Sequence, residues 1–534
     1  TDHHAYVIGL YRMAAAAPSA VEAYLPAPGQ FVNQDAYQNP EKTLAGASGG
    51  AVTLGSFGGS IVYRFDEPIK NDEKNPYGVD FIVFGNAFAN ADGTSSASAA
   101  EPGAVMVSKD GQTWYELAGS MYYDANTRHN IGVTYENPDP AFSGAADISW
   151  TDSEGNTGVL AKNAFHTQPY YPNPAYYGSY NTGIGKNETY TAQTMTVAGG
   201  TVFGSAHSPA YGYADTHAAA STASNLAVNP YRENHYKAAN GDGMDLSWAV
   251  DENGNPVALD EISYVKIYNP TLYVGGTGEL SPEITGVLRA QASDTAVGKT
   301  QDLTALSVNG KEITLTPGVY TYSFDSEGAA SLTVGADCGE AANIYVGDTY
   351  IPSGSVTPAF LAGDKVRVVA QAGEKEPVIY TITIEGAGAS AANADLSSVT
   401  IIPGDIAARF DGDEGFTATV PYETNSIRIC AVPLNAKASV QVQEETLYAD
   451  SGWTGKQSIS LTAGKTIDIP VTVTSQDGTA VKQYTVSVTR KASGGGSGGT
   501  ETNTISVRFS LVGDSKHAAA AHTKFETWLA PKTY

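Results

Sequence analysis

The 534-residue sequence has only two cysteines, Cys338 and Cys430, which lie far apart in the chain. That excludes a disulfide scaffold and a CxxC zinc site, and the plain reading of both is a buried thiol. Scarce cysteine does not by itself fix a compartment. Basic residues are also few, 30 against 56 acidic ones, for a formal net charge of −26. The lysine and arginine clusters that neutralise phosphates are missing, so nucleic acid is not an expected partner. No apolar run is long enough to cross a membrane. The nearest to one, AYVIGLYRMAAAAPSAVEAYL, is broken by Arg12 and Pro18 and has no basic start, so it does not read as a signal peptide. Long amphipathic helical windows are almost absent. So are the GxSxG, zincin, P-loop and dinucleotide fingerprints.

What the sequence does have is glycine (57 residues) and tyrosine (32, against 15 phenylalanines). Long runs alternate Val, Thr, Ile and Tyr, which predicts an all-β protein. The length calls for several domains. Residues 1–20 form an N-terminal segment. Residues 21–290 are rich in Tyr, Asn, Gly and Pro, with loops between short strands, and predict a jelly-roll or sandwich-like β domain. Residues 300–387 and 394–491 echo each other, each closing on a Tyr-Thr-β-branched strand (Tyr380–Ile384, Tyr484–Val488) after a charged turn. They predict two cadherin-like or Ig-like β-sandwiches in tandem. Residues 492–503 are a Gly/Ser linker, and 504–534 open a further, truncated β domain. The chain begins at Thr1 and stops at FETWLAPKTY, so an export signal and an envelope anchor are expected outside it.

Particular stretches sharpen the β reading. SIVYRF and DFIVFGNAF are strand-like runs. The glycines of GSFGGS fit a bulge or a close backbone approach. SKDGQTWYEL is a hairpin turning at Asp110-Gly111. DISWTDSEGNTG and DLSWAVDENGNPV echo each other, and the alternating oxygens of Asp251, Asn253 and Asn255 read as a hairpin turn rather than a calcium loop.

NAFHTQPYYPNPAYYGSYNTG loads a Pro-rich loop with rings. Tyrosine offers a flat apolar face and a polar edge at low torsional cost. The candidate ligand-binding residues are therefore Phe165, His166, Tyr170, Tyr171, Tyr176, Tyr177, Tyr211, Tyr213, Tyr231 and Tyr236. Such rings suit a stacked sugar or a planar tetrapyrrole; equally, they cover the ends of a sandwich and fill loop-to-core gaps. His166, His207, His217 and His235 lie in the same loops without a metal-ligand spacing, and His517 and His522 lack a third ligand. Calcium is a possible cofactor on oxygen chemistry alone, with Asp92, Glu101, Asp215 and Asp242 as ligands. An enzyme reading, a surface glycoside hydrolase, would need paired carboxylates among Asp80, Glu101, Glu116 and Glu279. A third reading is a purely structural wall or adhesion protein.

Three resemblances bear on these alternatives. YLPAPGQFVN, LGSFGGSIVYRFDEPI, DFIVFGNAF, EPGAVMVSKDGQTWYELAGS, FHTQPYYP and ISYVKIYNPTL…GELSPEITG resemble a family of exported surface proteins of gut bacteria, over Val21–Gly286. Some members of that family are surface lipoproteins associated with cobalamin uptake. LSSVTI, FTATVP and SQDGTAVKQYTVSVTR resemble the cadherin-like repeats of bacterial surface proteins. The tail from TISVRFSLVGD resembles the start of a domain related to the C-terminal β-domain of vertebrate cobalamin carriers. Together they imply a protein of the bacterial cell surface, held by segments outside this chain, with a corrinoid as ligand; with the missing catalytic motifs and the ring-loaded loops, the expectation is a non-catalytic protein that binds a corrinoid or a glycan through its N-terminal domain.

Overall fold

The computed structural model of the chain describes residues 16–492, apart from 90–97, 126, 140, 143–145, 154–156, 181–188, 192–208, 218–223, 233–239, 273, 276–277, 296, 328, 330, 387–389, 413 and 448–451. The described chain is built of β-strands joined by turns and short 3₁₀ segments. The predicted Gly/Ser linker beyond residue 492 and the tail at 504–534 lie outside the described residues.

The N-terminal region is a sandwich. Its larger layer is a six-stranded antiparallel sheet in the order Ala20–Leu25, Ser60–Lys70, Glu261–Tyr268, Ala104–Ser108, Trp114–Leu117 and Ala249–Val250. Alternation along Ser60–Lys70 sends Ile61, Tyr63 and Phe65 into the core. In Glu261–Tyr268 the buried positions are Ile262, Val265, Ile267 and the terminal Tyr268; a strict period of two would place Ile262 on the face opposite Val265 and Ile267. A register shift between Ile262 and Tyr264 resets the phase, so Ile262, Val265 and Ile267 reach one core. The hairpin expected at Asp110-Gly111 joins Ala104–Ser108 to Trp114–Leu117, with Ser108 opposite Trp114. Asp110 Oδ1 accepts from the backbone N–H groups of Gln112 and Thr113, each at 2.8 Å.

Facing it is a three-stranded sheet of Asp242–Met244, Phe81–Phe84 and Gly286–Arg289. The unbroken apolar run of Phe81–Phe84 has its reason here, because both faces are covered. Phe81 and Val83 enter the main core, while Ile82 and Phe84 join a smaller cluster with Ala16, Val79 and Leu288. The close backbone approach expected in GSFGGS is real: a Cβ on Gly59 would stand 1.7 Å from the Leu54 carbonyl oxygen. The two Ser-Trp echoes diverge. Trp150 lies in the strand Ile148–Asp152, whereas Asp245 caps the 3₁₀ turn Leu246–Trp248. Asp251 Oδ1 accepts from Asn253 and Asn255 N–H at 2.9 and 2.8 Å, which closes a turn.

Two sandwiches follow, and they share a wiring. In the first, Val378–Glu385 pairs antiparallel with Lys365–Gln371 and parallel with Thr321–Asp325. In the second, Val481–Arg490 pairs antiparallel with Thr466–Thr474 and parallel with Gly415–Val420. The repeated Tyr-Thr strand is thus one structural position. Its tyrosine does one job twice: Tyr380 OH accepts from Leu303 N–H, and Tyr484 OH from Leu396 N–H, each at 3.2 Å. Each pins the start of its sandwich's first strand to its last. Tyr484→Phe is expected to cost about 1 kcal/mol, read as a lower urea midpoint at unchanged slope.

The first sandwich packs on the N-terminal sandwich. Tyr345 and Val369 belong to the N-terminal core cluster. Arg367, on the strand Lys365–Gln371 and 2 % exposed, donates to the carbonyls of Ala118 and Trp248. Its guanidinium lies 5.3 Å from the centre of the Tyr123 ring. Lys365 Nζ donates to Asn253 O at 2.9 Å, and Asn229 Nδ2 to Gln371 Oε1 at 2.9 Å. Besides its own core, this module therefore supplies part of the N-terminal core.

Candidate functional site

The loop rings are placed by long-range partners. Asn33, at φ 65°, donates from Nδ2 to the carbonyls of Pro169 and Tyr171, both at 2.8 Å, and receives the Tyr177 hydroxyl at 3.3 Å. That pins the Pro-rich loop onto the sandwich edge, with Tyr177 edge-on to Tyr24 at 5.8 Å. Lys162 Nζ sits 3.8 Å over the Tyr170 ring. Tyr211 packs 5.3 Å from both Tyr231 and Trp248, and 5.6 Å from Tyr345 of the next sandwich. The Tyr231 hydroxyl accepts from Trp248 Nε1 at 3.0 Å and meets Asp245 Oδ2 at 3.2 Å.

Tyr170, Tyr171, Tyr177, Tyr211, Tyr213 and Tyr231 are therefore buried in the core rather than displayed. Burial raises the pKa of Tyr211, Tyr213 and Tyr231. Two rings of the set stand in solvent, Phe165 at 80 % and Tyr176 at 48 % exposure. His166 is half-buried beside them, edge-on to Phe31 at 4.8 Å and 3.1 Å from Gln34 Nε2. Tyr236, His207, His235, His517, His522 and Asp92 lie outside the described residues.

The carboxylates considered for hydrolysis have separate environments. Asp80 accepts from Asn75 Nδ2 and Leu246 N–H at 2.7 Å each. Burial first, then the neighbouring Asp245, pushes its pKa well up. Glu116 accepts from the Tyr268 hydroxyl, and burial pushes its pKa up. Glu279 accepts from Gln30 N–H at 2.5 Å and is pushed up to about 7 by burial.

Glu101 is different, because two further carboxylates present oxygens beside its own. Glu101, Asp215 and Glu283 each offer an oxygen, and these oxygens lie within 4.8 Å of one another. Asp215, fully buried and at φ 56°, sits against the end of Phe81–Phe84. Its Oδ1 accepts from Asn86 and Ala87 N–H at 2.7 and 2.8 Å, and its Oδ2 from Glu283 N–H at 3.1 Å. Only glycine fits at position 85, since a Cβ there would stand 2.0 Å from Asp215 Oδ1. Glu101 Oε1 accepts from Ser281 N–H at 3.0 Å. Glu283, on the short strand Glu283–Ile284, accepts from Asn86 Nδ2 at 3.1 Å through Oε2. Burial pushes Glu101 up to about 8 and Asp215 up to about 7, and Glu283 is also raised. Asp242, the remaining described member of the calcium set expected from sequence, is engaged elsewhere. It meets His217 Nδ1 at 2.5 Å and accepts from Thr216 N–H at 3.1 Å. The third carboxylate of the cluster, Glu283, was not among the sequence candidates; it reads as an ordinary strand residue in SPEITG.

A cleft of about 700 Å³ opens where the first sandwich meets the N-terminal sandwich. Asn71, Glu73 and Asp260 line one wall, and Asp302, Tyr320 and Glu376 the other. The Tyr320 ring is partly exposed, and its hydroxyl donates to Asp302 Oδ1 at 3.0 Å. It stands edge-on to Tyr380 at 5.3 Å, which fixes its plane. Lys299 Nζ lies 3.6 Å from Glu376 Oε2 at the rim. None of Asp80, Glu101, Glu116 and Glu279 lines this cleft.

Residues 395–491 match the family described as Cadherin-like beta sandwich domain. Sandwiches of this kind are typical of extracellular adhesion and binding proteins and are typically non-catalytic. No curated protein matches the sequence. Among solved structures, similar ones include the fibronectin(III)-like modules of Clostridium thermocellum CbhA, at 12 % identity, covering 35 % of this chain and 94 % of that one, with a TM-score of 0.10. The N-terminal Ig1-2 module of the Drosophila receptor protein tyrosine phosphatase DLAR is 9 % identical and covers 35 % and 99 %, with a TM-score of 0.12. The human desmocollin-1 ectodomain is 10 % identical, with 44 % of this chain covering 52 % of that one at a TM-score of 0.12. Among the described residues no helix is long and apolar enough to cross a membrane.

Proposed function

We propose that this chain is an exported, non-catalytic binding protein of the bacterial cell surface that seats a glycan in the cleft between its first two sandwiches. The observation that carries the reading is the cleft itself. It combines an oriented, partly exposed tyrosine ring with amide, carboxylate and ammonium groups along its walls. A sugar offers the matching surface, apolar C–H faces that stack on a ring and hydroxyls that pair with polar side chains. The cadherin-like sandwich at 395–491 supports extracellular binding. The resemblance of Val21–Gly286 to surface proteins of gut bacteria supports the cell-surface setting, and it makes a corrinoid the competing ligand.

The test is a glycan array probed with the full chain, followed by calorimetry on the best ligand. Tyr320→Ala is expected to weaken binding at least about tenfold, the equivalent of about 1.4 kcal/mol. Binding that is indifferent to Tyr320→Ala sinks the cleft. A chain that ignores glycans but retains cyanocobalamin after desalting is a corrinoid receptor, and release of reducing sugar from the bound glycan makes it a hydrolase.

A further inference from the structure

We propose that Glu101, Asp215 and Glu283 form a binding site for one divalent cation, calcium by its chemistry. The cation would tie the segment before Ala104–Ser108, the turn after Tyr213 and the strand Glu283–Ile284 to the edge of the three-stranded sheet.

The geometry is the first support. Three carboxylates from distant parts of the sequence present oxygens within 4.8 Å of one another. That spread suits one ion bound at 2.3–2.6 Å from each. A second observation is independent of the clustering. Glu283 is 1 % exposed, and its Oε1 accepts from no N–H or O–H donor at hydrogen-bond geometry, while the Thr53 side chain and the Glu101 carboxyl lie close enough to act on its charge. A buried carboxylate oxygen without a donor costs free energy until something positive meets it. Both Asp215 oxygens, Glu101 Oε1 and Glu283 Oε2 are fixed by backbone and amide donors, as a binding site requires if its ligands are to be preorganised.

The donor set selects the ion. All three ligands are hard oxygens, with no histidine or cysteine, which disfavours zinc and copper. Three carboxylates supply one oxygen each from protein in a largely buried site. Calcium accepts that arrangement at flexible geometry, whereas magnesium holds on to several waters. The site is not the proposed glycan cleft, and none of its residues lines that cleft. It stands whether or not the glycan reading does.

The experiment uses the full chain, stripped with EDTA and dialysed. Calorimetric titration with CaCl₂ should give one saturable event per chain, with MgCl₂ markedly weaker. Melting temperature should rise with calcium and fall back with EDTA. Glu283→Gln should abolish the titration, and Glu101→Gln should weaken it on the order of tenfold or more. Glu101 is the less buried of the two, so its variant carries the test if Glu283→Gln fails to fold. No saturable calcium event in the native chain overturns the proposal. So does an event that Glu101→Gln leaves unchanged, because binding is then to the acidic surface at large.

Discussion

Arg367→Ala is expected to cost about 3–5 kcal/mol and to lower the melting temperature of the N-terminal and first sandwiches together by roughly 5–15 °C. The side chain is buried between two sandwiches, and its donors go to main-chain carbonyls of Ala118 and Trp248 rather than to an acid. Truncation removes no counter-charge. It leaves those acceptors facing a cavity, and it deletes the aliphatic stem and the stacking on Tyr123. Arg367→Met separates the terms, because it keeps most of the aliphatic volume while losing the donors and the guanidinium over Tyr123. Its cost should fall well below that of the alanine variant. Calorimetry checks the coupling. If the two sandwiches are one cooperative unit, the native chain shows a shared transition that moves as a whole in the variant. A variant in which only residues 300–387 melt earlier would mean that the module unfolds independently of the N-terminal sandwich.

How much of this was readable beforehand depends on whether the controlling contacts are local. The hairpin at Asp110-Gly111, the strand SIVYRF and the terminal Tyr-Thr strands were legible, because turn chemistry and alternation act over a few residues. Phe81–Phe84 was legible as a strand, but that both of its faces are covered came only from the fold. Arg367 was not legible. In KVRVVAQ it occupies an alternating position that reads as solvent-facing, and only a second sandwich laid against that face buries it. The cation cluster was half legible. Glu101 and Asp215 were found on oxygen chemistry, but nothing near Glu283 in sequence says that it meets them. Asp242 was a reasonable member until the fold gave it His217.

The loop tyrosines are the instructive case, and Tyr211 tests them. Proline and glycine around them describe the backbone as a loop correctly, but they say nothing about which way the rings face. Ring direction is settled by Asn33, Trp248 and Tyr345, each far away in sequence. Tyr211→Ala should therefore behave as a core truncation and cost about 3–5 kcal/mol, because it empties the space between Tyr231, Trp248 and Tyr345. Phe165→Ala, at a ring that stands in solvent, should stay within about 0.5 kcal/mol of the native chain. Tyr211→Phe supplies the third point. The Tyr211 hydroxyl is buried without a hydrogen-bond partner, so deleting it removes an unpaid desolvation cost and should be neutral or stabilising by about 1 kcal/mol. Urea midpoints at constant slope give all three values. A Tyr211→Ala variant as stable as the native chain would show that this ring is free to leave the core, and would return it to the set of ligand-facing residues. A Tyr211→Phe variant that loses stability would show that the hydroxyl has a partner in solution, and a buried water bridging to it would be the first place to look.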